Sequence, residues 1–271
     1  METDFPIANR SGHRVVSFDT YFVVAWFSAN ATPDPRGFSN LSAAILVLKR
    51  VHACMEGAMR SPRFRRAATD ARPYGAHRFD VFGPKVGRRL TLFGRRVFQL
   101  WLRLESNPQV VTYCERPLLV PEARGTRAAD FWVCTDQGEQ LHLVLRSSEA
   151  TLVEQGISLY PALDAWSQAH SMTVRTILPD ELDDPEPLCQ NRLTMLNYLA
   201  ANTVPARDEI CRAILIACIR GLTLAKLEQR FASIDPVLVR TAAFALLLKG
   251  GLDCPTIASR PLGPDSCLET K

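Results

Sequence analysis

Asp130 is a carboxylate whose setting in the sequence allows metal chemistry. It follows two alanines and precedes Phe131-Trp132-Val133, so its carboxylate opens an apolar strand that a basic helix precedes in the sequence. Hard cations such as Mg2+ take oxygen ligands, and a carboxylate in that setting can be one. Phosphodiester hydrolysis uses such ions to activate water and to stabilise charge on the leaving oxygen. One carboxylate rarely holds Mg2+ alone, and the stretch Leu141-His142-Leu143-Val144-Leu145-Arg146 adds little. The Val144 side chain has no atom that can ligate a metal. Arg146 can bind phosphate but cannot act as a base at neutral pH. Alternation along a strand puts His142, Val144 and Arg146 on one face and the three leucines on the other. His142 and Arg146 are therefore expected to face the same cleft as Asp130. The plainer reading of Asp130 is a strand-end carboxylate in a turn or salt bridge. Glu105 is expected at a solvated helix end, and Glu115-Arg116 as a local ion pair.

The elements that would position these residues follow from periodicity. Arg78–Phe82 reads as a short strand, broken by Gly83-Pro84. In Leu92–Leu104, Phe93, Val97, Leu100, Trp101 and Leu104 fall on one helical face, and Ser106-Asn107-Pro108 stops the helix. Val110–Pro117, Arg127–Val133 and Leu141–Arg146 read as strands by their β-branched and aromatic content, with a turn at Asp136-Gln137-Gly138. A helix over Leu163–His170 and a fourth strand over Met172–Leu178 complete this part.

Charge is segregated along the chain. Residues 60–103 hold twelve Lys/Arg against two acids, Asp70 and Asp80, a block suited to a polyanion such as DNA or to a solvated basic face. Residues 180–186 hold five acids and no base, with three prolines between 179 and 187, which predicts a domain boundary. The eight cysteines form no CxxC pair and no zinc spacing, so a reducing compartment is expected. No run is long enough to cross a membrane. Tyr21–Phe27 with Ala29-Asn30-Ala31 faintly resembles a signal peptide, but Asp19 interrupts it and a cytoplasmic location is expected.

The domains expected are a disordered or basic N-terminal extension over 1–77, an α/β domain over 78–178, a linker over 179–190, a helical domain over 191–262 and a tail. Residues 1–58 fit poorly with the rest, and Met55 and Met59 are plausible alternative starts. In the helical part, Asn191–Leu199 and Asp208–Arg220 precede a helix over Thr223–Phe231, with Thr223 as its N-cap. A helix over Val237–Leu248 starts at Asp235-Pro236 and stops at Gly250-Gly251. Short helices followed by Gly-Gly-Leu-Asp suggest a winged-helix or helix-turn-helix unit. Its second helix offers only Arg240, Thr241 and Lys249 for base reading, which leaves a protein-contact role as good an account.

The order of these elements resembles a PD-(D/E)xK, restriction-endonuclease-like core, a mixed sheet flanked by helices. More narrowly, it resembles the TnsA-type endonuclease subunit of heteromeric transposases. The residues that carry this are Leu104-Glu105-Ser106-Asn107-Pro108-Gln109-Val110 with the strand to Pro117, and Ala129-Asp130-Phe131. In the tail the matching residues are Leu227 to Phe231, Arg240, Leu247, Gly250 to Leu252 and Arg260-Pro261-Leu262. It covers residues 78–265 and implies a nuclease domain followed by a winged-helix-like domain. It also implies a metal-binding Asp at Asp130 and transposon DNA-end processing in complex with a transposase, and the C-terminal domain is expected to dock on that transposase or on a regulatory ATPase. The helical catalytic Glu of that family would fall near Arg96–Val97, its acid-or-Gln position is Val144 and its Lys is Arg146.

The expectation is therefore a DNA-binding pseudonuclease, with Mg2+ needed only if the site is active. Its DNA contacts are expected through Arg88, Arg89, Arg95, Arg96, Arg103, Arg240 and Lys249. Two alternatives remain: an active endonuclease with ligands recruited from Glu105 or His142, and a stand-alone helix-turn-helix regulator.

Overall fold

A computed structural model describes residues 62–271, apart from 123–124, 156, 158 and 203–206. The expectations for residues 1–61 lie outside the described residues. The architecture is mixed α/β. Strands β1 (Arg78–Gly83) and β2 (Arg88–Phe93) form an antiparallel hairpin across the Gly83-Pro84 break. The helix expected from Leu92 begins later, as α1 (Arg95–Ser106), because the hairpin takes Leu92 and Phe93 into its register. Gly94, at φ 95°, makes the change of direction. Ser106 Oγ donates back to the Leu102 carbonyl at 2.6 Å and closes the last turn.

The central sheet has the order β3 (Val110–Glu115), β6 (Phe131–Thr135), β7 (Gly138–Val144), β8 (Met172–Ile177). The first three strands are antiparallel neighbours, and β7 and β8 are parallel. A small hairpin, β4 (Leu119–Glu122) with β5 (Gly125–Ala128), lies between β3 and β6 in sequence. Helices α2 (Ser147–Glu154) and α3 (Pro161–Ala169) make the crossover that a parallel pair requires. One sheet face packs Tyr113, Phe131 and Val133 against Leu100, Trp101 and Leu104 of α1. The other packs Cys114, Trp132, Leu141 and Leu143 against Tyr160, Leu163 and Met172.

Residues 62–77, expected as part of a disordered or basic extension, lie on this core instead. Ala68 N–H donates to Arg116 O (2.8 Å), and the Arg116 guanidinium donates to the Thr69 and Thr91 carbonyls (2.7 and 2.5 Å). Phe64 meets Trp132 edge-on at 5.7 Å.

The acidic segment expected as a linker is also structured. Residues Asp180–Leu182 form a 3-10 turn with Leu182 buried, and α4 starts at Glu186 and runs to Ala201. Asp183 pairs with Arg96, and Asp184 with both Arg103 of α1 and Arg192 of α4. The two blocks of opposite charge are thus partners. One apolar cluster runs from the β1–β2 hairpin and α1 through to the C-terminal helices, and the described residues all fall within one unit, His52–Lys271.

Beyond α4 come α5 (Asp208–Ala217), β9 (Leu222–Thr223), α6 (Leu224–Arg230), α7 (Pro236–Leu248), β10 (Leu252–Asp253) and β11 (Cys267–Thr270). The caps expected from sequence are present. Thr223 Oγ1 accepts from Lys226 N–H at 3.4 Å, and Asp235 Oδ1 from Val237 N–H at 2.8 Å. Helix α7 buries Val239, Ala242, Ala243, Phe244, Leu246 and Leu248, so it is apolar nearly all round and forms the axis of this part. The three strands form a small antiparallel sheet in the order β10-β11-β9. No helix among the described residues is long and apolar enough to cross a membrane.

Asn191, 2% exposed, holds the segment before β11 onto α4. Its amide nitrogen donates to Ile257 O and Arg260 O (both 2.7 Å), and its oxygen accepts from Leu262 N–H (2.7 Å). Replacing it leaves three backbone groups without a partner. Asn191→Ala is expected to lower stability by about 2–3 kcal/mol in urea titrations. A loss within about 0.5 kcal/mol would show that water takes over these bonds.

Candidate functional site

Asp130 lies at the start of β6, where the chain leaves the β4–β5 hairpin. Its backbone is fixed on both sides, with Arg116 N–H donating to Asp130 O (2.9 Å) and Asp130 N–H donating to His142 O (3.0 Å). Its Oδ2 accepts from Val144 N–H at 2.7 Å and from Arg127 Nη2 at 3.4 Å. Arg127 is the centre of the cluster. Its guanidinium donates also to Glu149 Oε1 and Oε2 (2.9 and 2.8 Å), to the Tyr160 hydroxyl (2.9 Å) and to the Val144 carbonyl. Tyr160 in turn donates to Glu149 Oε1 at 2.9 Å. Arg127, Asp130 and Glu149 side chains are 10%, 16% and 13% exposed, so the charges sit in a low-dielectric rim of the sheet.

The electrostatics follow from that burial. Burial opposes the charge of Arg127, but the Asp130 and Glu149 carboxylates outweigh it and hold its pKa above the ordinary arginine value. Burial pushes Asp130 up, with Arg127 and the Val144 N–H pulling the other way. Burial also opposes ionisation of Glu149, but the Arg146 N–H, Arg127 and Tyr160 together hold its carboxyl below the ordinary value. Asp130 is thus in the salt bridge of its plainer sequence reading. The residues present do not fit Mg2+. The fixed cation Arg127 lies between the two carboxylates, and Val144 supplies only backbone atoms. Among the described residues no group of three or more His, Cys, Asp or Glu could hold a metal ion.

His142 does not join Asp130. It pairs with Phe131 in the β6–β7 register, so Asp130, one residue earlier, projects to the opposite face. The His142 ring lines a cleft of about 610 Å3 with Gln140, Arg175 and the end of α1. Its Nε2 lies 3.0 Å from Gln140 Oε1. Burial, and then the charge of Arg175, lower its pKa to about 4, so the ring is neutral at physiological pH. Arg146 follows β7 as the N-terminal flank of α2, exposed, and its backbone N–H donates to Glu149 Oε2 at 2.6 Å.

Glu105 is 1% exposed and not at a solvated helix end. Trp101 Nε1 donates to the Tyr113 hydroxyl (2.8 Å), which donates to Glu105 Oε1 (2.5 Å), while Lys85 N–H donates to Oε2 (3.3 Å). Gly83 lets the hairpin approach this triad: a Cβ there would lie 2.5 Å from the Tyr113 hydroxyl. Glu105 is therefore committed to the β1–β2 turn and supplies no ligand to Asp130. Glu115 pairs with Arg88 and not with its neighbour Arg116.

The cations expected at DNA divide into two groups. Arg88 is bound to Glu115, Arg96 to Asp183, Arg103 to Asp184, and Arg240 to Glu228 and the Tyr198 hydroxyl. Arg89, Arg95 and Lys249 are exposed and form no ion pair among the described residues, although Asp183 feels the charge of Arg95 at longer range.

Sequence reasoning missed Arg127, Glu149 and Tyr160. Glu149 is three residues past Arg146 in a helix too short and too weakly patterned to be expected, and Tyr160 precedes the Pro161 that opens α3. The Ser147-Ser148-Glu149 start and the Tyr-Pro pair were the available signals. A scan against protein-family models and a search of curated proteins find no match to the chain.

The Glu105 triad makes stability depend on pH. Burial raises the carboxyl to about 7 from an ordinary 4.5. Between those values the unfolded chain has lost a proton that the folded chain still holds, so this contribution falls as pH rises. Glu105→Gln is expected to flatten the decline and to gain on the parent by up to roughly 3 kcal/mol above pH ~8. Urea unfolding across pH checks this, and parallel profiles for parent and variant would rule it out.

Proposed function

We propose that this chain is a TnsA-like subunit of a transposase complex that binds transposon-end DNA without cutting it. In this reading the first part is a restriction-endonuclease-like core and the C-terminal part is winged-helix-like. The observation that carries the absence of cleavage is the Arg127 guanidinium between Asp130 and Glu149. Hydrolysis of a phosphodiester needs an open coordination position on which water is activated. A guanidinium keeps the positive charge but offers no such position, and Mg2+ is not a cofactor in this reading.

Support for the fold assignment comes from the segments that carry the resemblance. Leu104–Pro117 forms the end of α1, a turn and β3, and Ala129–Phe131 opens the adjacent antiparallel strand β6. The helix, the three strands β3, β6 and β7, a helical crossover and the fourth strand follow in the expected order, with the β4–β5 hairpin inserted between β3 and β6. Support for a protein partner, a transposase or a regulatory ATPase, comes from Ile216, Ile219, Val237 and Leu238, large apolar side chains exposed on the C-terminal part. Arg240 is held by Glu228 and Tyr198, which counts against base reading by α7 and against a stand-alone regulator. A cytoplasmic location goes with this reading, in keeping with cysteines that are free thiols among the described residues.

A supercoiled-plasmid nicking assay with Mg2+ and with Mn2+, beside a DNA-binding titration at several salt concentrations, tests it. The expected result is salt-sensitive binding without nicking. Arg89→Ala with Arg95→Ala should weaken binding and flatten the slope of log affinity against log salt by about 2. Nicking that disappears in Asp130→Ala would refute the non-cleaving reading, and absence of binding would refute the DNA-binding one.

A further inference from the structure

Among the described residues, Nδ1 of His142 is the one buried side-chain nitrogen or oxygen without a hydrogen-bond partner. Leaving such an atom unsatisfied costs stability, so its presence calls for a reason. The ring forms part of the floor of the cleft of about 610 Å3 between the central sheet and the end of α1. Gln140 Oε1 faces Nε2 at 3.0 Å, which puts the ring hydrogen on Nε2 and leaves Nδ1 a bare acceptor. Burial, and then the charge of Arg175, keep the ring neutral at physiological pH, so Nδ1 stays an acceptor. Arg175 is the β8 neighbour of His142 in the parallel register, and both side chains leave the same face of the sheet. Its guanidinium is exposed and lies 3.8 Å from Glu181, beyond hydrogen-bond distance, so it keeps donors for another group. The floor therefore presents an acceptor and, about 5 Å away on the next strand, a planar donor. Val133 and Ile177 on the sheet and Leu100 and Leu104 on α1 supply apolar surfaces on either side.

We propose that this cleft binds a single unpaired nucleotide, whose base edge donates to His142 Nδ1 and accepts from Arg175. A ligand matching the floor carries a donor beside an acceptor on a flat apolar body. A nucleobase does so, with an amine or ring N–H next to a carbonyl or ring nitrogen. A sugar brings hydroxyls but no planar face to fill the space between sheet and helix. The volume is that of a small-molecule site, which spans roughly 300–1,000 Å3, and admits one nucleotide but not a duplex. Three arginines, Arg103, Arg175 and Arg192, meet two acids, Glu181 and Asp184, so the mouth tolerates the phosphate. Nδ1 is shielded from bulk water, and the side chains that move aside to admit the base are Gln140, half-buried, and Arg175. The nucleotide is either a free monophosphate or the terminal residue of a DNA strand. The second source rests on the DNA-binding reading above, and the site itself does not.

Titration of the full chain with the four deoxynucleoside monophosphates, followed by calorimetry and by the His142 imidazole resonances, tests the site. At least one monophosphate is expected to bind and to shift the His142 signals. Arg175→Ala, at an exposed position, and His142→Phe, which keeps a ring in the floor, should each weaken binding by about tenfold. A duplex with one unpaired terminal nucleotide is titrated beside its blunt counterpart. Tighter binding of the tailed duplex, lost in both variants, assigns the strand end as the source. Equal binding of the two duplexes, with the monophosphate still bound, assigns the free nucleotide. No His142 shift with any monophosphate or with the tailed duplex overturns the proposal, and so does binding that both variants leave unchanged. Binding of blunt duplex without these shifts sinks this site and leaves the DNA-binding reading standing, whereas a bound monophosphate with no duplex binding does the reverse.

Discussion

The buried guanidinium of Arg127 is the constraint on which this end of the sheet depends. It extends from β5 and engages Asp130 at the start of β6, the end of β7 through Val144, α2 through Glu149 and the start of α3 through Tyr160. Breaking a buried pair by removing one partner commonly costs about 3–5 kcal/mol, because the charge left behind is uncompensated. Here two carboxyls would be left behind. The same contacts hold five elements together and keep the Asp130 carboxylate within the Arg127 cluster.

A second electrostatic constraint acts on the other side of the molecule. Asp184 lies between Arg103 and Arg192 and joins α1 to α4, while Asp183 reaches Arg96. The Asp184 side chain is 14% exposed and its carboxyl is held below the ordinary value: burial opposes this, but Arg103 and Arg192 outweigh it. The Arg96–Asp183 pair is exposed, and pairs of that kind add little stability on their own. Their structural effect is positional: the acidic segment lies along the basic helix, and part of the positive charge of α1 is neutralised from within.

Much of the fold was legible in the sequence because its signals are local. The β-branched and aromatic content of 110–117 and 127–133, the Asp136-Gln137-Gly138 turn, and the Thr223 and Asp235 caps depend on residues close together in the chain. What failed depended on distant partners. Phe93 has the spacing of a helix face, but pairing with Arg78 makes it a strand residue. Residues 62–77 look like a solvated arm until Arg116 and Trp132 are seen to hold them. The acid run at 180–186 reads as a linker when the arginines it meets lie about eighty positions away. For the site, sequence located Asp130 and the deficiency at Val144, but not the guanidinium between the carboxyls, because Glu149 and Tyr160 converge on it only through the crossover.

That crossover has a kinetic consequence. The β7–β8 pairing joins Glu139 to Met172 and Val144 to Ile177, positions separated by all of α2 and α3. Contacts so far apart require a large loop to close before they contribute, and such pairings form late. Until β8 arrives, β7 is an edge strand with unsatisfied backbone groups and with Leu141 and Leu143 exposed, both of which are fully buried in the finished structure. An edge of that kind is a template for pairing with another chain. The step at which folding and self-association compete is therefore the docking of α2 and α3.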